Sequence, residues 1–207
     1  MKRRILLLAH RVPVSGNFSL NDLAGAGGRM DEIARATSTA FTVSNGLRRD
    51  TELTILFAAE PPPRSRRIRL LGSGLRYLNP DERSTAALLK NALVRSSTLD
   101  RDIEASPGLV VGPAEPISVL KEFLREPATI WLTEKGQPYA PPLPTPAEVG
   151  AVLSDPDDPT PEEREWLQAS RVPAVSLGPV SLRTSQCIDL LHSRWDSLPD
   201  ARLPEGD

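Results

Sequence analysis

Three short stretches of this 207-residue chain combine residue types that could do chemistry. The first is AVSLGPVSLRTSQCIDLL, residues 174–191: an apolar run, a Gly178-Pro179 turn, a polar loop, and a helix start near Thr184 that carries the lone cysteine, Cys187. A tight turn of this kind exposes main-chain donors and acceptors that can clasp an adenine edge; an ordinary strand-to-helix loop has the same pattern. The second is LAGAGGRMDE, residues 23–32, where glycines open the approach to a helix start beside Arg29 and Asp31. Free backbone N–H groups at such a start favour an anion, and the structural alternative is a glycine-rich connector with a solvated arginine. The third is SGLRYLNPDERSTAALL, residues 73–89, which places Arg76, Asn79, Asp81, Arg83 and Ser84 around a helix N-terminus. Capping explains Asn79 and Pro80. It does not explain Arg76 and Arg83, because cations there oppose the helix dipole, and a phosphate between them would remove the conflict. The tract RSRRIR, residues 64–69, with Arg48 and Arg49, offers local phosphate contacts or simply a solvated face.

Familiar catalytic signatures are missing. No GxGxxG follows a strand, and there is no Walker loop and no GxSxG elbow. Two histidines, His10 and His192, and one cysteine fit no zinc-ligand spacing and permit no internal disulfide, so no metal is expected. An enzyme built from these residues must work mainly by positioning a reactive cofactor. The net charge of −2 gives no global pull toward nucleic acid, so RNA contact would need a local basic patch.

Elements that could position these stretches alternate along the chain, which argues for an α/β layer fold. Strands are expected at 5–9, 53–57, 68–71, 108–111, 128–132, 151–153 and 174–177, several of them continuous apolar runs suited to burial on both faces. A helix over 29–43 puts Met30, Ile33, Ala34, Thr37, Ala40 and Phe41 on one face. Another begins with Asn79 as N-cap, Pro80 at the first helical position and Glu82 closing a capping box. Others are expected at 117–125, from Thr160 with Pro161 and Glu163 repeating the cap chemistry, and at 184–197. Proline clusters between elements read as stiff loops. The pattern suits a single domain over 1–197 with a flexible tail at 198–207. The opening MKRRILLLAH has too short an apolar run for a signal peptide, and no stretch is long enough to cross a membrane, so a cytoplasmic protein is expected.

Taken together, FSLNDLAGAGGRMDEIAR, LNPDERSTAALLKNAL and SLGPVSLRTSQCI resemble, in order and spacing, the archaeal tRNA pseudouridine-54 N1-methyltransferases of the SPOUT superfamily. The likeness runs from about Ile5 to Trp195. It implies a SPOUT-type α/β fold with a C-terminal trefoil knot, a mostly parallel sheet flanked by helices, and S-adenosylmethionine (SAM) held by the knot loops. Carried over by matching positions, the SAM contacts are Leu132, Ser154, Leu177, Gly178, Pro179, Val180, Ser181, Leu182 and Cys187. Ser154 stands where the family has glycine, and LTEKG at 132–136 has Thr133 where the family often has histidine, so Thr133 is given no catalytic role. The implied reaction moves a methyl group from SAM to N1 of pseudouridine in tRNA, with the target base flipped out. Asp31 and Asp81 are the candidates for handling the N1 proton, with Asp50 behind them. Arg29, Arg76 and Arg83 are the candidates for RNA contact. The resemblance also implies a homodimer. The alternatives are a SAM-binding knotted module without catalysis, or a methyltransferase of another RNA such as ribosomal RNA.

Overall fold

The apolar run at residues 5–9 folds as a strand covered on both faces: Ile5, Leu7 and Ala9 join one core, Leu6 and Leu8 another, and all five are fully buried. Each large side chain buried in this way stabilises the fold by roughly 1.5–3 kcal/mol. The computed structural model describes residues 1–59, 65–126 and 128–199. In chain order the elements are β1 (Lys2–Ala9), α1 (Met30–Phe41), β2 (Thr42–Val43), β3 (Gly46–Leu47), β4 (Thr51–Phe57), β5 (Arg66–Leu71), α2 (Glu82–Ser96), β6 (Ile103–Ser106), β7 (Leu109–Pro113), α3 (Pro116–Leu124), β8 (Thr129–Pro138), β9 (Glu148–Ser154), α4 (Pro161–Ala169), β10 (Ala174–Ser176) and α5 (Thr184–Asp196).

Among the described residues, eight strands form one sheet in the order β10-β8-β9-β1-β4-β5-β7-β6. Pairing is parallel from β10 to β4 and antiparallel from β4 to β6. Side chains of α1, α2 and α5 pack on one face, those of α3 and α4 on the other. This is the expected α/β architecture, a largely parallel sheet flanked by helices. The β2–β3 hairpin and β6 add to the strands expected from sequence. Both are short and carry no apolar run, so pairing with a neighbour defines them.

Local chemistry sets the helix starts. α4 has the expected capping box: Glu163 N–H donates to Thr160 Oγ1 at 3.2 Å, and Thr160 N–H donates to Glu163 Oε2 at 2.8 Å. α2 departs from expectation. Its N-cap is Asp81, which accepts the Ser84 N–H at 2.8 Å, so the helix starts after Asn79 and Pro80. An aspartate cap satisfies the free N–H and also complements the dipole, which asparagine cannot do. α1 begins one residue later than expected because Gly28 and Arg29 take left-handed backbone, with φ of 60° and 67°. A Cβ at Gly28 would sit 2.0 Å from the Arg11 carbonyl oxygen, so only glycine fits there.

α5 is anchored from within. Ile188, Leu191 and Trp195 are fully buried and belong to the internal core. His192 is neutral: burial, with Arg48 and Arg3 nearby, pushes its pKa down to about 3. Its Nε2 lies 3.1 Å from the Ala40 carbonyl and its Nδ1 lies 3.2 Å from Arg3 Nη1, which fixes Nε2 as donor and Nδ1 as acceptor. Arg3 also pairs with Asp50 at 3.1 Å and Asp196 at 2.6 Å, which commits Asp50 to the fold. Beyond α5, Leu198 is buried and Thr145 Oγ1 donates to the Pro199 carbonyl at 2.7 Å. The rest of the expected tail, residues 200–207, lies outside the described residues.

Candidate functional site

β8 and β10 pair with a jump in register. Ala174 stands opposite Trp131, and the next residue, Val175, stands opposite Gln137. Residues 132–136 therefore arch out of the ladder. Gly136 returns the arch so close to β10 that a Cβ there would lie 2.4 Å from the Val175 carbonyl carbon. This arch, the end of β9, the β10–α5 loop and the start of α1 enclose a cavity of about 860 Å³. It opens at the carboxyl ends of the parallel strands, where open α/β sheets generally take their ligands, and its size suits a nucleotide-scale ligand. Two lining residues are joined directly: Thr184 Oγ1 donates to the Ser154 carbonyl at 2.8 Å.

One wall of the cavity rests on a residue that sequence reasoning missed. His10, at the end of β1, sits between two buried carboxylates: its Nδ1 lies 3.2 Å from Asp155 Oδ1 and its Nε2 lies 2.9 Å from Glu163 Oε2. The His10 N–H also donates to Asp155 Oδ2 at 2.8 Å. Burial opposes a charge on His10, but the hydrogen bonds and charges of Asp155 and Glu163 outweigh it and raise the pKa to about 10. His10 is therefore an imidazolium at neutral pH. It ties β1 to α4 and to the loop after β9, and Asp155, Pro156, Asp158 and Pro159 of that loop line the cavity. A pairing across 145 residues leaves no local signal; only the adjacency of β1 and β9 could have suggested it.

The residues expected at the cofactor converge here. Leu132, Ser154, Leu177, Gly178, Val180, Ser181, Leu182 and Cys187 all line the cavity, with Pro179 in the same loop. A Cβ added at Gly178 would meet no atom within 4 Å, so a side chain there would project into open space. Burial pushes the Cys187 thiol up to about 11, so it is protonated and is not a nucleophile at neutral pH.

The polar candidates are placed differently. Asp31 does not line the cavity; Arg29 Nε and Nη2 donate to its two oxygens at 2.9 and 3.0 Å, and Arg35 Nη2 adds a bond at 2.6 Å. Burial works to raise its pKa, but the two guanidiniums outweigh it and hold Asp31 below the usual carboxylate range. Asp81 is the α2 cap and lies outside the cavity wall. Hydrogen bonds from Ser84 hold its pKa down. Every oxygen of the two aspartates already accepts a hydrogen bond, so neither has one free to take a proton. Arg29 lines the cavity, whereas Arg83 donates to the Leu20 carbonyl at 3.0 Å and to Asn21 Oδ1 at 2.9 Å, and Arg76 is exposed away from the cavity. The basic tract is largely structural. Arg66 is buried and donates to the Ser97 carbonyl at 2.9 Å, past the end of α2, and Arg67 bridges Asp102 and Glu122. Arg48 pairs with Asp196, Arg49 donates to the carbonyls of Gly72 and Leu75, and Arg64 lies outside the described residues.

Comparison with known proteins identifies the family. Residues 2–199 match the family described as "Putative SAM-dependent RNA methyltransferase". A Methanosarcina mazei protein named tRNA (pseudouridine(54)-N(1))-methyltransferase is 36% identical, covering 99% of this chain and 97% of its own length. The protein of the same name from Haloferax volcanii is 34% identical over 94% of this chain and 96% of its own. Among solved structures, Archaeoglobus fulgidus Nep1 bound to S-adenosylhomocysteine superposes with a TM-score of 0.66, over 95% of this chain and 98% of that one; at 13% identity it supports the fold alone. The match across almost the whole chain shows that this protein belongs to the SAM-dependent RNA methyltransferase family.

Proposed function

We propose that this protein methylates N1 of pseudouridine at position 54 of tRNA, with SAM as the methyl donor. The observation that carries the reading is the likeness, at 36% identity over 99% of the chain, to an enzyme named for that reaction. The cavity supports it. Its glycine at 178 leaves space that a side chain would fill, and Leu177, Gly178 and Val180–Leu182 line the cavity where this reading places the adenine edge. Leu132 and Leu177 supply apolar surface, and the protonated Cys187 packs the wall without reacting. Bound there, the sulfonium brings a methyl group that is already activated. The chain's task is then to exclude water, align the base and receive its proton.

The reading also includes the trefoil thread at the β10–α5 segment, a homodimer, and a cytoplasmic location where tRNA is modified. The close passage of β10 beneath the 132–136 arch supports the thread. No helix among the described residues is long and apolar enough to cross a membrane. Buried Ile188, Leu191 and Trp195 are unavailable to a dimer face, so the outward residues of α5, such as Leu190, would have to serve. The test is incubation with methyl-labelled SAM and tRNA carrying pseudouridine or uridine at position 54, followed by nucleoside mapping. Label in N1-methylpseudouridine from the first tRNA alone supports the reading. Label at another nucleoside, or none, rejects it.

A further inference from the structure

Among the described residues, four carboxylates line the cavity: Glu32, Glu134, Asp155 and Asp158. Asp155 is committed to His10 and to the backbone of Asp157. Asp158 is 89% exposed and pairs loosely with Arg164, and Glu134 is exposed on the arch. Glu32, in the first turn of α1, is different. Its side chain is only 5% exposed. Its Oε1 accepts Arg29 Nη2 at 2.7 Å and lies 3.0 Å from Arg35 Nη2, while its Oε2 is buried with no hydrogen-bond partner. Leaving a buried carboxylate oxygen unpaired is costly, and such orphans call for a functional explanation. Glu32 itself lines the cavity, and the terminal torsion of a glutamate is broad, so Oε2 is the oxygen of this carboxylate left to meet a ligand there.

Arg29 stands beside it on the same wall. Its Nε and Nη2 are used by Asp31 and Glu32, and among the described residues Nη1 has no acceptor. One carboxylate and one guanidinium, joined by the 2.7 Å bond between Arg29 Nη2 and Glu32 Oε1, thus keep an acceptor and a donor unused at the same wall. Pseudouridine offers the complement, an N1–H next to the C2 carbonyl. Uridine does not, because its N1 carries the ribose.

We propose that Glu32 is the carboxylate that takes the N1 proton of the target base, while Arg29 holds the neighbouring carbonyl. This rests on the pseudouridine reading above. In the step, the N1–H bond breaks and its proton passes to Glu32 Oε2. The nitrogen electron pair forms the bond to the sulfonium methyl carbon, and the carbon–sulfur bond breaks with its pair on sulfur. The products are the N1-methylated base, S-adenosylhomocysteine and protonated Glu32, which returns its proton to water. The same pair makes Glu32 and Arg29 the determinants that select pseudouridine over uridine.

The test is Glu32→Gln, which keeps an acceptor for Arg29 and Arg35 and puts an amide N–H₂ in place of Oε2. Four readouts apply: melting temperature, SAM affinity without RNA, affinity for pseudouridine-54 against uridine-54 tRNA with S-adenosylhomocysteine present, and the single-turnover rate from about pH 6 to 8.5. The variant should bind SAM within about threefold of the parent and lose its preference for pseudouridine tRNA. Its rate should fall on the order of 100-fold, the usual worth of a positioned base. The residual rate should rise about tenfold per pH unit, because N1 must then lose its proton to solvent. SAM affinity that falls while the rate at saturating SAM stays full would make Glu32 a donor-binding residue and overturn the assignment. So would an unchanged rate. Should the glutamine variant fail to fold, Glu32→Asp carries the test: it keeps the charge and withdraws the oxygen, and a full single-turnover rate with it overturns the assignment. A parent protein inactive on pseudouridine-54 tRNA rejects the underlying reading instead, whatever the variants do.

Discussion

Replacing His10 by glutamine should both destabilise the fold and loosen the cavity. Asp155 and Glu163 have side chains only 1% and 3% exposed, and His10 is the cation between them. Removing it leaves two buried carboxylates facing one another, and breaking a buried ion pair in this way typically costs about 3–5 kcal/mol. The rise of the His10 pKa from 6.5 to about 10 gives a similar upper bound, about 5 kcal/mol at ~1.4 kcal/mol per tenfold change in proton affinity. For a chain of this size that corresponds to a drop in melting temperature on the order of 10 °C. Because the pKa is raised on folding, the stabilisation is complete below about pH 6.5, declines above it, and is gone once the pH passes about 10. Thermal unfolding of parent and variant at pH 7 and pH 10.5 measures this directly. The gap should be wide at pH 7 and nearly closed at pH 10.5. A variant as stable as the parent at pH 7, or a gap that does not change with pH, would refute the ion-pair account.

Gly178→Val should leave the melting temperature unchanged, because the new side chain meets no protein atom, while weakening SAM binding at least about tenfold; calorimetry checks both halves. Cys187→Ser should retain methyl transfer within a few-fold, since the thiol is protonated; complete loss in a folded protein would assign the sulfur a direct role. Arg66→Ala should destabilise the protein by about 1–3 kcal/mol in urea unfolding, because it strips the Ser97 carbonyl of its partner. Arg76→Ala should leave stability intact, weaken tRNA binding and reduce the salt dependence by about one phosphate contact, as a salt titration would reveal.

The strand plan was legible because burial on both faces writes itself as apolar runs, as at residues 5–9 and 53–57. The α4 cap was legible because Thr160, Pro161 and Glu163 act within one turn. The α2 start was misread by two residues because Asn79-Pro80 and Asp81 are both cap signals, and only tertiary packing chooses: Ser38 donates to the Pro80 carbonyl and Thr85 to the Asn79 carbonyl. The cavity loop at 177–182 was reached through a family resemblance, not through periodicity. The polar half of the site escaped. Asp31 and Glu32 are neighbours of the same chemical type, and nothing in their order says that Arg29 and Arg35 saturate the first and leave an oxygen of the second bare. The tract at 64–69 stayed open between phosphate contacts and a solvated face because sequence cannot show that alternation in β5 sends Arg66 inward and Arg67 to a carboxylate pair.

The account turns on the claim that the cavity between the 132–136 arch and the β10–α5 loop holds the methyl donor. A crystal structure of the protein with S-adenosylhomocysteine tests this most directly. The account predicts the adenine against the backbone of 177–182, with Leu132 and Cys187 in contact and Arg29 and Glu32 left facing the empty space where a base would enter. Ligand bound at any other surface, or a glutamate oxygen taken up by the amino group of the ligand itself, would contradict it.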